Sequence, residues 1–288
     1  MEVMLHGMAF HKLKTELFNL YRPKQVIKLL NPSGDIMVRV KASDLKKGIN
    51  TVLCKGKWAI GQGIKNHSLG NEILLSCSNN NLNVNNANNG TFVWYKMAAT
   101  GDTIPRVTVE ADKLLKYINN GAVISLDYSE ENNLLTITRD TGASATIPTL
   151  DRHPHVDAIL RVSKTLHDNF ETKDGMKISD KTTLTSIIEL DSKKFLEATK
   201  LCESVGSGIY KLNIGENKLT ISSEKDREIY SEAITVEEDK QCNSATTQYT
   251  GPFHKFLKGT LKIATNDDKP ILFKTSNIVI LRAPRLDA

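Results

Sequence analysis

Long apolar runs, clustered cysteines and recognisable catalytic motifs are all scarce in this chain. No stretch of about eighteen apolar residues occurs among its 288 residues, so no membrane-spanning helix is expected. Cys54, Cys77, Cys202 and Cys242 are widely spaced and form no C-x-x-C pair. That spacing excludes the common zinc and redox arrangements and reads as buried or bystander thiols in a reducing compartment. The opening MEVMLHGMAFHKLK has neither the basic start nor the continuous apolar core of a secretory leader, and a cytoplasmic protein is expected. Gly61-Gln62-Gly63 and Gly206-Ser207-Gly208 read as turn glycines, since neither opens a phosphate-cradling G-x-x-x-x-G-K-[ST] loop. His153-Pro154-His155 lacks a second ligand pair nearby and reads as a loop histidine pair. Asp267-Asp268 and Glu237-Glu238-Asp239 fall in hairpin turns, where carboxylates are usually solvated caps. Trp58, Trp94 and the tyrosines form no stacking series for single-stranded nucleic acid. These absences predict a protein that is not an enzyme, with no cofactor and no metal site.

What is present is a globular composition, 40% hydrophobic and 25% charged, able to bury a core. Lysine and arginine number 38 against 33 carboxylates, a net +5 compatible with a polyanionic partner. The length predicts one large domain or two ordinary ones.

The pattern along the chain is repetitive. Residues 107–151, VTVEADKLLKYINNGAVISLDYSEENNLLTITRDTGASATIPTLD, read as a strand, a two-turn helix and three strands joined by tight turns. The same order begins near 36, with a strand at 36–40, a helix over 44–54 capped by Ser43, and strands at 72–77, 82–85 and 91–97. Leu82 and Val84 alternate inside the asparagine-rich run 79–89, which predicts a strand between two turns rather than disorder. A third copy begins near 185, with its helix over 193–203 capped by Asp191 or Ser192. A fourth begins near 246, with a short helix over 252–258. Two such units make one domain, in which two helices cover a face of antiparallel sheet, an α+β architecture. The expected divisions are an N-terminal extension, 1–35, a first domain, 36–150, a connector, 151–184, and a second domain, 185–288. Within the connector, 171–181 reads as polar and loop-like.

The ordered four-fold recurrence resembles the DNA sliding clamps: the polymerase III beta clamp, PCNA and the clamps of large phages. The segment 107–154 is similar to the second half of a beta-clamp domain, ending in TIPTLDRHP where those clamps carry T-[IL]-P-x-x-D-x-P. TLKIATNDDKPILFKTSNIVILRAPR is similar to the end of PCNA, with its final A-P-[KR]. FLEATKLCESVGSGIYKLNIGENKLTISS resembles the first helix and hairpin of a second domain. The resemblance covers roughly 36–286 and implies the clamp fold: antiparallel sheets outside, helices inside, six domains to a ring. With two domains per chain it implies a homotrimeric processivity factor that encircles duplex DNA and takes a DNA polymerase, a clamp loader and other clients as partners. The chain departs from the family in its extension, its long connector and its positive net charge. A clamp-fold subunit of a transcription-coupling or checkpoint ring, or a protein scaffold that does not bind DNA, is the alternative. The asparagine- and lysine-rich composition points to a phage or an AT-rich genome; the resemblance implies a phage or archaeal clamp, in the cytoplasm or at the nucleoid.

A ring that tracks duplex needs a basic wall that meets phosphates and ignores bases. With their apolar stripes removed, the helices leave Lys46 and Lys47, flanked by Lys41 and Lys55; Lys113 and Lys116; Lys193, Lys194 and Lys200; and Lys255 and Lys258. Lysine is an ordinary solvated residue on any one helix; its recurrence on all four predicts a DNA-facing set. The resemblance also implies a pocket for short client peptides under the connector, formed by Ile159, Leu160 and Val162 with Ala283, Pro284 and Leu286.

Overall fold

The computed structural model describes residues 37–53, 70–87, 90–118, 122–150, 162–163, 166, 170–215, 217–236, 243–251 and 256–285. The unit described here is that of residues 36–288; the expected extension, 1–35, lies outside the described residues. The first repeat consists of β1 (Met37–Lys41), α1 (Ala42–Val52), β2 (Glu72–Ser78), β3 (Asn81–Ala87) and β4 (Thr91–Ala98), followed by a two-residue β5 (Thr100–Gly101). The second has β6 (Val107–Glu110), α2 (Ala111–Tyr117), β7 (Val123–Ser129), β8 (Leu134–Arg139) and β9 (Ser144–Pro148). Three short strands, β10 (Glu171–Thr172), β11 (Gly175–Ser179) and β12 (Thr182–Leu184), precede the third repeat. That repeat is β13 (Ser186–Asp191), α3 (Ser192–Ser204), β14 (Ile209–Gly215), β15 (Lys218–Lys225) and β16 (Glu228–Thr235). The fourth contributes β17 (Ala245–Thr250), β18 (Thr260–Thr265), β19 (Ile271–Lys274) and β20 (Ile278–Arg282). Most of its expected helix, 252–255, is outside the described residues.

The repeats share one local device. In the first three repeats the opening strand runs straight into its helix through an extended residue: Lys41, Glu110 and Asp191 all have φ near −70° and ψ near 120°. The next residue is small and buried, and its amide donates to the carbonyl just ahead of the neighbouring strand. Ala42 donates to Ala122 at 2.9 Å, Ala111 to Asn71 at 2.7 Å, and Ser192 to Gly259 at 2.9 Å. In the fourth repeat Gly251 donates to Gly208 at 3.1 Å. A donor that would be orphaned at a helix start is thus satisfied by backbone. This corrects the expected cap at Ser43: Lys41 occupies the cap position of α1 and no side chain caps it. Asp191 does cap α3, accepting from the Lys193 amide at 2.9 Å.

The opening strands are exchanged between repeats. β1 pairs with β7, and β6 pairs with β2; β13 pairs with β18, and β17 with β14. Neither member of a pair can complete its sheet alone, which is why two units make one body. The result is a five-stranded sheet, β5-β1-β7-β8-β9, and a four-stranded sheet, β16-β15-β14-β17. An eight-stranded sheet, β13-β18-β19-β20-β4-β3-β2-β6, spans both halves of the chain through the β20–β4 pair.

That central sheet is buried on both faces, which explains near-continuous apolar runs such as Ile73-Leu74-Leu75. One face packs with α1, α2 and α3 in the main core, through residues such as Ile73, Val93, Ile263, Phe273 and Ile280. The other face, with Leu74, Phe92, Ala264, Leu272 and Val279, lies under Leu166, Phe170, Met176 and Leu184 of the connector. The connector is therefore not the polar loop expected over 171–181. It carries a three-stranded antiparallel sheet, β10-β11-β12, whose turns are polar while Met176 and Leu184 point into the core. Gly175 makes this possible: at φ 140° it approaches so closely that a β-carbon there would sit 2.3 Å from the Leu184 carbonyl oxygen.

The asparagine-rich run contains β3, as its alternation predicts. Asn79 and Asn80 take φ values of 50° and 58° in the two-residue turn that joins β2 to β3. Asparagine tolerates this left-handed backbone better than most side chains, so part of its abundance is turn chemistry.

Candidate nucleic-acid interface

The helix faces turned away from the core carry the lysines expected from the sequence. On α1, Leu45, Ile49 and Val52 are buried, while Lys47 is exposed and Lys46 half-buried. The Lys47 ammonium lies 5.9 Å from the centre of the Tyr95 ring, and Lys41 is exposed at the strand–helix junction. On α2, which packs beside α1, Leu114 points inward and Lys113 and Lys116 are exposed. Lys113 bonds Glu110 at 2.8 Å, and Lys116 lies 5.5 Å from the Tyr117 ring centre. On α3, Phe195, Ala198, Thr199 and Cys202 are buried, leaving Lys193, Lys194 and Lys200 exposed. Lys258 is exposed after the fourth repeat's turn, whereas Lys55 and Lys255 lie outside the described residues.

Carboxylates are interleaved with these lysines. Asp44, Asp112, Glu197 and Glu203 lie on the same helices, and Glu110 and Asp191 precede two of them. The described helices thus present a net positive but broken charge pattern. Long, flexible ammonium groups of this kind suit loose phosphate contact, not a bidentate grip.

The outer face of the central sheet is the second region of interest. Val162 is half-buried there, against the cluster that includes Trp94 and Leu281. Ala283 and Pro284 follow β20, where the Ala283 amide donates to Gly90 at 2.8 Å and the Arg285 amide to Gln248 at 2.8 Å. The Arg282 guanidinium donates to Thr91 and to Thr250, tying β20, β4 and β17 together at this end. Ile159, Leu160 and Leu286 lie outside the described residues. A cavity of about 480 Å³ opens at the opposite end of the β4–β20 pair, lined by Trp94, Lys96, Leu166, Phe170, Glu171 and the segment 274–279. Sequence reasoning missed it. The signal was the alternation of Phe92, Trp94 and Lys96 with the inward Val93, Tyr95 and Met97 on β4.

Beside this cavity an ion network fastens the connector to the sheet. Glu171 accepts from Lys274 at 2.5 Å and lies 4.0 Å from Lys262, which is itself 3.7 Å from Glu189. Burial raises the Glu171 carboxyl, but the hydrogen bond from Lys274 and the charges of Lys274 and Lys262 outweigh it and leave its pKa lowered.

Several other groups resolve into structural roles. Gly206 and Gly208, at φ 72° and 67°, turn the chain out of α3. Asp267 accepts from the Thr246 amide at 2.7 Å, and Asp268 takes φ 52° in the β18–β19 turn. Cys77 and Cys202 are buried, and burial, helped by the Glu232 charge, pushes the Cys202 thiol up to about 11. His153, His155, Gly61, Gly63 and 237–239 are outside the described residues. Among the described residues no group of three or more His, Cys, Asp or Glu side chains could hold a metal ion. No helix among them is long and apolar enough to cross a membrane.

No family model matches the chain, and no curated protein matches it by sequence. Solved structures do match over most of its length. PCNA from A. fulgidus, determined with the C-terminal region of FEN-1 bound, superposes with a TM-score of 0.60 at 14% identity, covering 88% of this chain and 99% of that one. PCNA from Thermococcus kodakaraensis gives 0.60 at 14% identity, covering 87% and 99%. The DNA polymerase III beta subunit of Thermotoga maritima gives 0.62 at 13% identity, covering 92% of this chain and 70% of that one. Strand exchange between repeats, helices on one face of a shared antiparallel sheet and a connector across the other identify the fold as that of the DNA sliding clamps.

Proposed function

We propose that this chain is a DNA polymerase processivity factor: a non-enzymatic clamp that closes around duplex DNA, independently of sequence, and tethers a polymerase and other clients. The observation that carries the reading is the set of exposed lysines on α1, α2 and α3, each on the face opposite the buried stripe. In a ring those faces line the hole, where Lys41, Lys46, Lys47, Lys113, Lys116, Lys193, Lys194, Lys200 and Lys258 meet phosphates, together with Lys55 and Lys255. Interleaved carboxylates keep each contact weak, as sliding requires. The tether works by raising the local concentration of the polymerase on its template.

Two open sheet edges supply the closure. The five-stranded sheet ends at β9 and the four-stranded sheet at β16, where Ile229 is 65% exposed. Pairing β9 of one protomer with β16 of the next is a head-to-tail contact that closes a ring of three two-domain chains. Val162, Ala283 and Pro284, with Ile159, Leu160 and Leu286, form the client-peptide pocket in this reading, and a clamp loader opens the ring.

The test is retention on DNA. The protein is expected to stay on closed circular duplex and to run off the same DNA once linearised. Changing Lys46, Lys116, Lys200 and Lys255 together to glutamate should abolish at least nine-tenths of the retained protein without lowering thermal stability. Equal retention on circular and linear DNA, or an unaffected quadruple variant, removes the ring-lumen assignment and favours a protein scaffold.

A further inference from the structure

We infer that the cavity beside Phe170 and Trp94 is a second peptide-docking site, for a short segment carrying an aromatic side chain next to a carboxylate. It is distinct from the pocket proposed at the Ala283 end of β20: Ala283 and Pro284 follow the opposite end of the same strand pair, and of the described residues assigned to that pocket, Val162, Ala283 and Pro284, none lines this cavity. At about 480 Å³ it has the size of a site for a small ligand or one or two side chains.

Its floor and its rim differ in chemistry. The floor is apolar: Leu166, Phe170 and Val279 are buried, and the Trp94 and Phe170 rings stand edge to face with centres 6.4 Å apart. A third aromatic ring can extend this edge-to-face arrangement. The rim is basic. Lys274 lies 5.4 Å from the Phe170 ring centre, and its charge is matched by Glu171 at 2.5 Å. Lys96 is different. Its backbone is fixed in the sheet, with its amide donating to Asn277 at 2.8 Å and its carbonyl accepting from the Asn277 side chain at 3.2 Å. Lys96 lines the cavity, and its side chain has no carboxylate partner among the described residues. The wall therefore offers one uncompensated positive charge beside an apolar floor, which is complementary to an aromatic group with an adjacent anion.

The site is also held in place. β10 and β11 anchor Phe170 through the Lys177 amide, which donates to the Phe170 carbonyl at 2.7 Å, and Glu171 locks the next residue to the sheet through Lys274. A floor fixed on two sides costs little ordering when a ligand enters.

The test uses the full-length protein and fluorescein-labelled hexapeptides with a central phenylalanine flanked by two aspartates, two asparagines or two lysines. Anisotropy should show the aspartate peptide binding at least ten-fold tighter than the asparagine one, with the lysine peptide weakest. Lys96→Glu should abolish that preference, and Phe170→Ala should weaken the aspartate peptide by at least ten-fold. Because Phe170→Ala can loosen the connector, Lys96→Gln serves as the second variant: it should reduce the preference at unchanged melting temperature. Failure of all three peptides to bind, binding that ignores the carboxylates, or binding unchanged in Lys96→Glu each overturns the proposal. Retention on circular DNA does not depend on any of these outcomes, so the two readings fail separately.

Discussion

At the residue scale, small side chains and left-handed positions do more for this fold than any polar cluster. Ala42, Ala111 and Ser192 are the small, buried first residues of their helices, each giving its amide to a carbonyl ahead of the neighbouring strand, and Gly251, at φ 90°, makes the same bond in the fourth repeat. Asn79 and Asn80 illustrate the second case, both at positive φ in a two-residue hairpin turn. Asn80→Gly is expected to leave stability unchanged or slightly raised. Asn80→Val should cost about 1–2 kcal/mol, because a branched β-carbon clashes in the left-handed region. Chemical denaturation of the two variants checks this, and equal midpoints would mean that the turn is not under strain.

At the scale of elements, the connector is the instructive one. Its strands are short and its turns polar, so it reads as a loop until Met176 and Leu184 are placed under the central sheet. The Glu171–Lys274 pair fastens it from outside the core, and its contribution has a definite pH dependence. The folded Glu171 carboxyl has a lowered pKa, so its stabilisation is present above the ordinary glutamate value and lost as pH falls through the lowered one. Both partners are partly exposed, so the pair contributes below about 1 kcal/mol at neutral pH. Glu171→Gln should therefore be slightly less stable than the wild type near pH 7, and the difference should vanish in acid. Urea midpoints across pH 3–8 (a range of about five units around the carboxylate values) measure it; a difference that grew in acid would contradict the assignment.

At the scale of the whole molecule, the proposed ring closes through the open edges of β9 and β16. Light scattering should give three times the mass of one chain. Ile229→Asp, on the exposed edge strand, should shift the protein toward monomer while leaving the circular dichroism melt of the monomer intact. A wild-type monomer at tens of micromolar (roughly the concentration needed to populate a Kd near 10 µM) would rule out the homotrimer.

Much of this architecture was legible in the chain because its periodicity is local. Strand alternation and the spacing of Leu45, Ile49 and Val52 follow from which residues avoid water, and the tight turns follow from backbone preference. The exposed lysines of α1, α2 and α3 were legible for the same reason, since a helix with one apolar stripe leaves its other face to solvent. Pairing was not. That β1 joins β7 and not β2, and that β20 joins β4 to carry one sheet across both halves, depends on contacts between residues far apart in sequence. The Phe170–Trp94 cavity belongs to that second class. Trp94 and Phe170 come from a strand and a connector more than seventy residues apart, and only the folded sheet brings their rings within 6.4 Å beside a lysine that nothing neutralises among the described residues. The sequence by itself determined the repeating unit, because hydrophobic period is a property of neighbours; the tertiary structure alone decided the sheet order and the cavity, because those are properties of distant strands sharing one core.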